Sequence, residues 1–198
     1  MTVGQLHKDA VEVLKKLISI PSLSREEGAA ADFMEASLVQ MGFNPKRDNH
    51  NVWVVAQGYD AQRPTILLNS HLDTVKATEN WLSDPLKPHL EDGKLTGLGS
   101  NDAGGPLVAL MAAFRYLAAR PQAYNLIFAA TAEEEVSGTN NVASILPLLG
   151  KVDLGIVGEP TRMQMAVAEK GLLVVDGVVH GKSGHAARNE GVNAIMKA

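Results

Sequence analysis

Three apolar runs in this sequence each end on side chains that can ligate a metal or carry a proton. Thr65-Ile66-Leu67-Leu68-Asn69-Ser70 leads into His71 and Asp73, and Asn125-Leu126-Ile127-Phe128-Ala129-Ala130-Thr131 leads into Glu133, Glu134 and Glu135. Leu154-Gly155-Ile156-Val157-Gly158 leads into Glu159. A fourth acid, Asp102, stands in the Gly-rich segment Gly97-Leu98-Gly99-Ser100-Asn101-Asp102-Ala103-Gly104-Gly105, ahead of an apolar helical pattern. Imidazole nitrogen suits zinc or cobalt. An Asp two residues beyond His71 is placed to accept the other ring N–H, which fixes the tautomer. Adjacent glutamates diverge, so one of the three can ligate while another acts as general base.

Each position also has a plainer use. His71 and Asp73 suit a polar loop after a strand, and Asp102 suits a helix N-cap or a turn. The glutamates suit a solvated acidic loop, and Glu159 a strand-end turn restrained by Pro160. Their joint occurrence along one α/β chain favours the metal reading. Asp102, Glu135 and Glu159 supply three negative charges against two dications, which leaves room for one hydroxide. Two ions about 3.5–4 Å apart can generate that nucleophile and polarise a carbonyl.

The elements that must position these residues follow from periodicity. Leu6, Ala10, Val13, Leu14, Leu17 and Ile18 fall at helical spacing, and Pro21 stops that helix. Ser24-Arg25-Glu26-Glu27 has a capping-box pattern opening a second helix that buries Ala30, Phe33, Met34, Leu38 and Met41, with Gly42 beyond its end. Residues 52–56 read as a strand, and Asp92-Gly93 as a hairpin turn. A helix is expected over residues 106–119, and another over 141–149 that is disturbed at Pro147 and ends at Gly150. Alternation of this kind predicts a mixed α/β sheet flanked by helices, with ligands gathered beyond the carboxyl ends of the strands. Past Pro160 the pattern changes to an extended apolar run over 172–180, then Gly181-Lys182-Ser183-Gly184-His185 and a helix from about Gly191. The last residue, Ala198, falls within that helical pattern, so the expectation is a catalytic portion at 1–165 and the beginning of a second domain at 166–198.

Composition narrows the function. Across 198 residues there is no cysteine, so thiolate ligands and disulfides are excluded. A net charge of −4 gives no electrostatic case for nucleic acid, and no basic run favours an anionic membrane. Lys8, Asp9, Glu12, Lys15 and Lys16 interrupt the first twenty residues, which therefore read as an amphipathic helix and not a signal peptide. The expectation is a soluble cytoplasmic protein.

At its candidate ligands the sequence resembles the dinuclear-zinc metallopeptidase and amidohydrolase family of acetylornithine deacetylase, succinyl-diaminopimelate desuccinylase and the aminoacylases. The segments that carry the resemblance are Ser70-His71-Leu72-Asp73-Thr74-Val75, Gly97-Leu98-Gly99-Ser100-Asn101-Asp102, Thr131-Ala132-Glu133-Glu134-Glu135, Gly158-Glu159-Pro160-Thr161 and Gly181-Lys182-Ser183-Gly184-His185-Ala186. The resemblance implies a zinc-exopeptidase-like catalytic domain followed by an α+β lid, or dimerisation, domain. It implies two Zn2+ ions, replaceable by Co2+, with His71 and Glu159 on one, Glu135 on the other and Asp102 bridging both. Asp73 would hold His71, and Glu134 would be the general base that takes a proton from water and returns it to the leaving amine. Glu133 stands where relatives commonly have Asp.

The resemblance also implies that His185 reaches a partner subunit's site to help hold the oxyanion, in a homodimer formed through the lid. Arg188 is a candidate for gripping a substrate carboxylate. The implied reaction is hydrolysis of an N-acyl amino acid. N-acetylornithine, a substrate of arginine biosynthesis, is the first choice, because the segment beginning Gly97-Leu98-Gly99 looks most like the deacetylase branch. Desuccinylation, dipeptidase or carboxypeptidase action, and an inactive fragment are the alternatives. The family's second zinc takes a last His from beyond the lid, and His7, His50, His89 and His180 are not placed to replace it. The expectation is that these 198 residues bind one metal better than two and turn over little substrate alone.

Overall fold

The structure is a computed structural model that describes all residues except Glu169, Leu172, Val174, Ala186 and Asn189. It divides into two compact units, residues 1–163 and residues 164–198.

In the first unit, α1 (Val3–Ile18) is capped by Thr2, whose hydroxyl accepts from the Gln5 N–H. It buries Leu6, Ala10, Val13, Leu14 and Ile18 along one face, as the spacing predicts. α2 (Gly28–Gln40) buries Ala30, Met34 and Leu38, with Phe33 and Met41 only partly covered. The expected capping box does not form. Glu27 is the N-cap residue with no side-chain cap bond, and the Ser24 hydroxyl donates instead to Asp73, 49 residues away.

β1 (Lys46–Asp48), which the periodicity does not single out, pairs antiparallel with β2 (Asn51–Val55) through a turn with Asn49 at φ 51. β3 (Thr65–His71) is followed by the hairpin of β4 (His89–Glu91) and β5 (Lys94–Thr96). Its Asp92 and Gly93 both take positive φ, as an Asp-Gly hairpin turn requires. α3 (Gly105–Ala118) carries Pro106 in its first turn, where a missing N–H costs nothing. β6 (Asn125–Thr131), α4 (Val142–Leu149) and β7 (Leu154–Val157) complete the unit. The α4 helix continues through Pro147, and Gly150 at φ 77 ends it.

The main sheet has the order β1-β2-β6-β3-β7 and is mixed: β2 runs antiparallel to β6, while β3, β6 and β7 run parallel. Alternate side chains serve two faces. Val52, Val54, Leu68, Leu126, Phe128 and Ala130 pack with α1, α2 and α3, around Met111 and Phe114. Trp53, Leu67, Ile127 and Ala129 pack with Ile145 and Leu149 of α4. Helices thus cover both faces, and the central strands β3 and β6 are buried almost throughout. This is the mixed α/β sheet flanked by helices that the alternation of elements implies.

In the unit of residues 164–198 the expected long elements are absent among the described residues. No strand spans 172–180, of which Leu172 and Val174 lie outside the described residues. Lys182 and Val192 form one antiparallel bridge, and past Gly191 there is only a short turn of helix, Ile195–Lys197. Among the described residues of that run, Leu173, Val175 and Val178 are exposed. Among the described residues no helix is long and apolar enough to cross a membrane.

Candidate metal centre

Because β3, β6 and β7 are parallel, their carboxyl ends share one edge of the sheet. His71 closes β3 in register with Thr131 of β6, and Asn69 pairs with Val157 at the end of β7. The ladder runs one step further, with the Leu72 N–H on the Thr131 carbonyl and the Gly158 N–H on the Asn69 carbonyl, each at 2.7 Å. The close approach of α3 requires Gly158, since a Cβ there would stand 2.8 Å from Leu110 Cδ1 and 3.1 Å from Pro106 Cβ. Asp102 lies in the turn that enters α3, with extended backbone angles, φ −115 and ψ 104.

His71 is buried, 2% exposed. Its Nδ1 lies 2.9 Å from the main-chain carbonyl of Asp73 and 3.3 Å from Asp73 Oδ1. The nearer acceptor is therefore the backbone of Asp73, not the carboxylate that the two-residue spacing predicts. This leaves Nε2 to face the acids: Asp102 Oδ1 at 3.2 Å, Glu159 Oε2 at 3.9 Å and Glu134 Oε2 at 4.0 Å. Donor atoms of His71, Asp102 and Glu135 all lie within 4.8 Å of one another. Two donors each about 2.0–2.1 Å from a tetrahedral zinc stand about 3.3–3.4 Å apart, close to the His71–Asp102 separation. One imidazole and several carboxylates, with no thiolate, form a donor set for zinc, cobalt or manganese.

His71 and the acids around it shift one another's titration. Burial pulls the His71 imidazole down, but the hydrogen bond and charge of Asp73, then Glu159 and Glu134, outweigh it and push the group up to about 9. Burial raises the Glu135 carboxyl, and Asp102 adds repulsion. Burial also raises Glu159, against the pull of His71 and with repulsion from Glu134, Asp102 and Glu135. Asp73 is the exception. Burial opposes its charge, but His71, the Ser24 hydroxyl at 2.8 Å and the N–H groups of Glu134 and Glu135, both at 3.1 Å, hold its carboxyl low.

Folding thus disfavours the charged forms of Glu135 and Glu159 when no metal is bound. A carboxyl whose folded pKa is raised contributes stability below its unfolded value and loses it as pH rises through the folded value. At neutral pH the Glu135 charge is therefore a net cost in chelated protein. Glu135→Gln should raise Tm at pH 7 in chelator and lower it in excess Zn2+. Thermal unfolding under the two conditions checks this inversion of sign.

The structure gathers His71, Asp73, Asp102, Glu134, Glu135 and Glu159 at one edge of the sheet. It places Glu133 differently from its two neighbours. Glu133 is 5% exposed and has left-handed backbone, φ 54, which costs a residue with a Cβ about 1–2 kcal/mol. Its carboxylate accepts from Asn140 Nδ2 at 2.7 Å, which holds its pKa low, and packs where a Cβ on Gly138 would stand. The Glu triplet is therefore neither a solvated loop nor three equivalent acids. His185 lies in the unit of residues 164–198, exposed, with Nδ1 accepting from the Ala187 N–H at 3.2 Å. Arg188 is exposed in the same unit.

Sequence reasoning missed the residues beneath the glutamate loop. Asn51 Oδ1 accepts from the Ala132 N–H at 2.9 Å, and its Nδ2 donates to the Asn140 carbonyl at 2.7 Å. Glu27 is fully buried and bonds to the Glu133 N–H. No local signal marks Asn51. Glu27 carries one, since it is an acid in a segment that packs inward, but the capping-box pattern absorbed it.

The chain is similar to known proteins in sequence and in fold. Succinyl-diaminopimelate desuccinylase from Buchnera aphidicola subsp. Cinara cedri (strain Cc) is 29% identical over 199 aligned positions, which cover 92% of this chain and 52% of that protein. The chain thus spans about half the length of this curated relative. The M20 family metallo-carboxypeptidase Sso-CP2 from Sulfolobus solfataricus superposes with a TM-score of 0.65 at 20% identity, over 75% of this chain and 37% of that one. The Bacillus subtilis YXEP protein, described as a dinuclear metal binding peptidase, superposes with a TM-score of 0.60 at 14% identity, over 79% and 43%. These two similarities are similarities of fold. The sequence model of peptidase family M20/M25/M40 matches residues 67–196, from within β3 almost to the last residue, and the chain belongs to that family.

Proposed function

We propose that these residues form the metal-binding part of a hydrolase that cleaves the amide bond of an N-acyl amino acid. The observation that carries this reading is the convergence of His71, Asp102 and Glu135 donor atoms within 4.8 Å, beside Glu134 and Glu159. His71 Nε2, Asp102, Glu135 and Glu159 would hold one or two divalent cations, zinc first and cobalt as a substitute. When bound, the metal supplies Lewis acidity toward the amide carbonyl and lowers the pKa of water.

The remaining work falls to the protein. Glu134 stands at the mouth of the cluster, its carboxylate about half exposed. There it takes a proton from the attacking water and later passes it to the leaving nitrogen. Asp73 holds the His71 ring on one side and the N–H groups of Glu134 and Glu135 on the other. It therefore fixes the base and two of the ligands together. His71 is the one His in this metal-competent group among the described residues, while His50 pairs with Glu27 and His89 with Glu91. One cation should accordingly bind more tightly than a second.

Residues 1–165 are the catalytic portion in this reading and 166–198 the opening of a lid through which subunits pair. His185 would contribute there to oxyanion stabilisation. The acyl group is the finer question. The Gly97-Leu98-Gly99-Ser100-Asn101-Asp102 segment favours an acetylated ornithine, while the likeness to a succinyl-diaminopimelate desuccinylase favours a succinylated diamino acid. A Zn2+- or Co2+-loaded full-length version of the protein should be assayed against N-acetylornithine, N-succinyl-diaminopimelate and a set of dipeptides. Release of the free amine from one N-acyl amino acid, abolished by chelator, is the expected result. Cleavage of dipeptides alone would replace this reading with an exopeptidase.

A further inference from the structure

Three successive backbone N–H groups at the end of β6 are each taken by a carboxylate from elsewhere in the chain. Asp73 accepts from Glu134 and Glu135, both at 3.1 Å. Glu27 Oε1 accepts from Glu133 at 3.0 Å, across 106 residues of sequence. Glu27 is wholly buried, and its other bonds are as well defined: the Arg25 N–H at 2.7 Å on Oε1 and His50 Nδ1 at 2.8 Å on Oε2. Its partner at Glu133 is the residue with left-handed backbone, the point where the chain turns so that the next two side chains face the acids around His71. A buried carboxylate with no role would be a poor choice at such a place, because its desolvation must be offset by donors placed in advance.

We infer that Glu27, oriented by His50, is a positioning residue that sets the left-handed turn at Glu133 and thereby aims Glu134 and Glu135 at the metal site. This inference rests on the metal reading given above. Glu27 touches neither metal nor substrate in it. Its effect passes through the backbone of Glu133, as the effect of Asp73 passes through the next two residues. Losses from such outer positions in metal sites are commonly about 10- to 100-fold in affinity.

Glu27→Leu, Glu27→Gln and Glu27→Asp test the inference in the full chain, beside the unsubstituted protein. Co2+ affinity, the visible spectrum of bound Co2+ and amide exchange at residues 133–135 are read for each. In Glu27→Leu the Glu133 amide should exchange at least about tenfold faster while amides at the centre of β6 keep their protection. Co2+ affinity should fall about tenfold or more, with a changed visible spectrum. Glu27→Gln, which retains an acceptor for the Glu133 N–H, should restore most of both. If Glu27→Leu does not fold, Glu27→Asp decides, since drawing the carboxylate back by one methylene should still alter the Co2+ spectrum. A folded Glu27→Leu, or a folded Glu27→Asp where Glu27→Leu does not fold, with wild-type spectrum, affinity and Glu133 exchange overturns the inference. Failure of the unsubstituted protein to bind Co2+ overturns the metal reading instead, and the Glu133 exchange rates still show whether Glu27 holds the turn.

Discussion

Glu134→Gln is expected to leave Zn2+ or Co2+ affinity within about threefold of the unsubstituted protein while lowering kcat about 100- to 10,000-fold, the usual contribution of a positioned general base. The separation follows from geometry. The Glu134 carboxylate, about half exposed, lies 4.0 Å from His71 Nε2 against 3.2 Å for Asp102, and the donor atoms that all lie within 4.8 Å of one another are those of His71, Asp102 and Glu135. Its N–H is fixed by Asp73 and is untouched by the substitution. Gln has the same shape and can still accept a hydrogen bond from water, but it cannot carry the proton away. Steady-state rates on the catalytically competent protein, with metal content measured in the same samples, check the prediction. A parallel loss of metal and rate would make Glu134 a ligand instead of a base.

His71→Ala should have the largest effect on metal binding, a loss of more than about 100-fold, since even residues behind the ligands commonly cost 10- to 100-fold. His71 brings the cluster its nitrogen donor and is the point from which Asp102, Glu159 and Glu134 are all within 4.0 Å. Its removal also leaves Asp73 without its imidazole partner while Asp73 still binds the Glu134 and Glu135 N–H groups. The damage should therefore spread to the glutamate loop and appear as faster amide exchange at Glu134 and Glu135. Competition with a chromophoric chelator gives the affinity. A loss of less than tenfold would place the cation elsewhere.

How far these residues could be read in sequence depends on the range of the interactions that place them. His71, Glu135 and Glu159 are legible because each lies at or within a few residues of the end of an apolar strand, and parallel strands carry their carboxyl ends to one edge. The helix faces around Leu14 and Met111 were legible for the same local reason, a repeat of three to four residues. What local pattern could not supply was the set of contacts across long sequence separations. Ser24 and Glu27 matched a helix cap, yet their partners are Asp73 and the Glu133 N–H, 49 and 106 residues away. His50 was set aside because it ends no strand, and it pairs with Glu27. That adjacent glutamates diverge is legible, but the left-handed backbone of Glu133 and its bond to Asn140, which turn it from the other two, are not. In residues 164–198 the apolar run had the composition of a strand, but pairing requires a neighbour, and the exposed Leu173, Val175 and Val178 show none among the described residues.

The proposed function requires a divalent cation held between His71 Nε2, Asp102, Glu135 and Glu159. A crystal structure of the Co2+-loaded protein, with anomalous scattering measured at the cobalt edge, tests it most directly. The expected result is an anomalous peak within about 2.0–2.3 Å of His71 Nε2 and of at least two of the three carboxylates. A peak bound to other residues, or none in crystals grown with saturating Co2+, would contradict it.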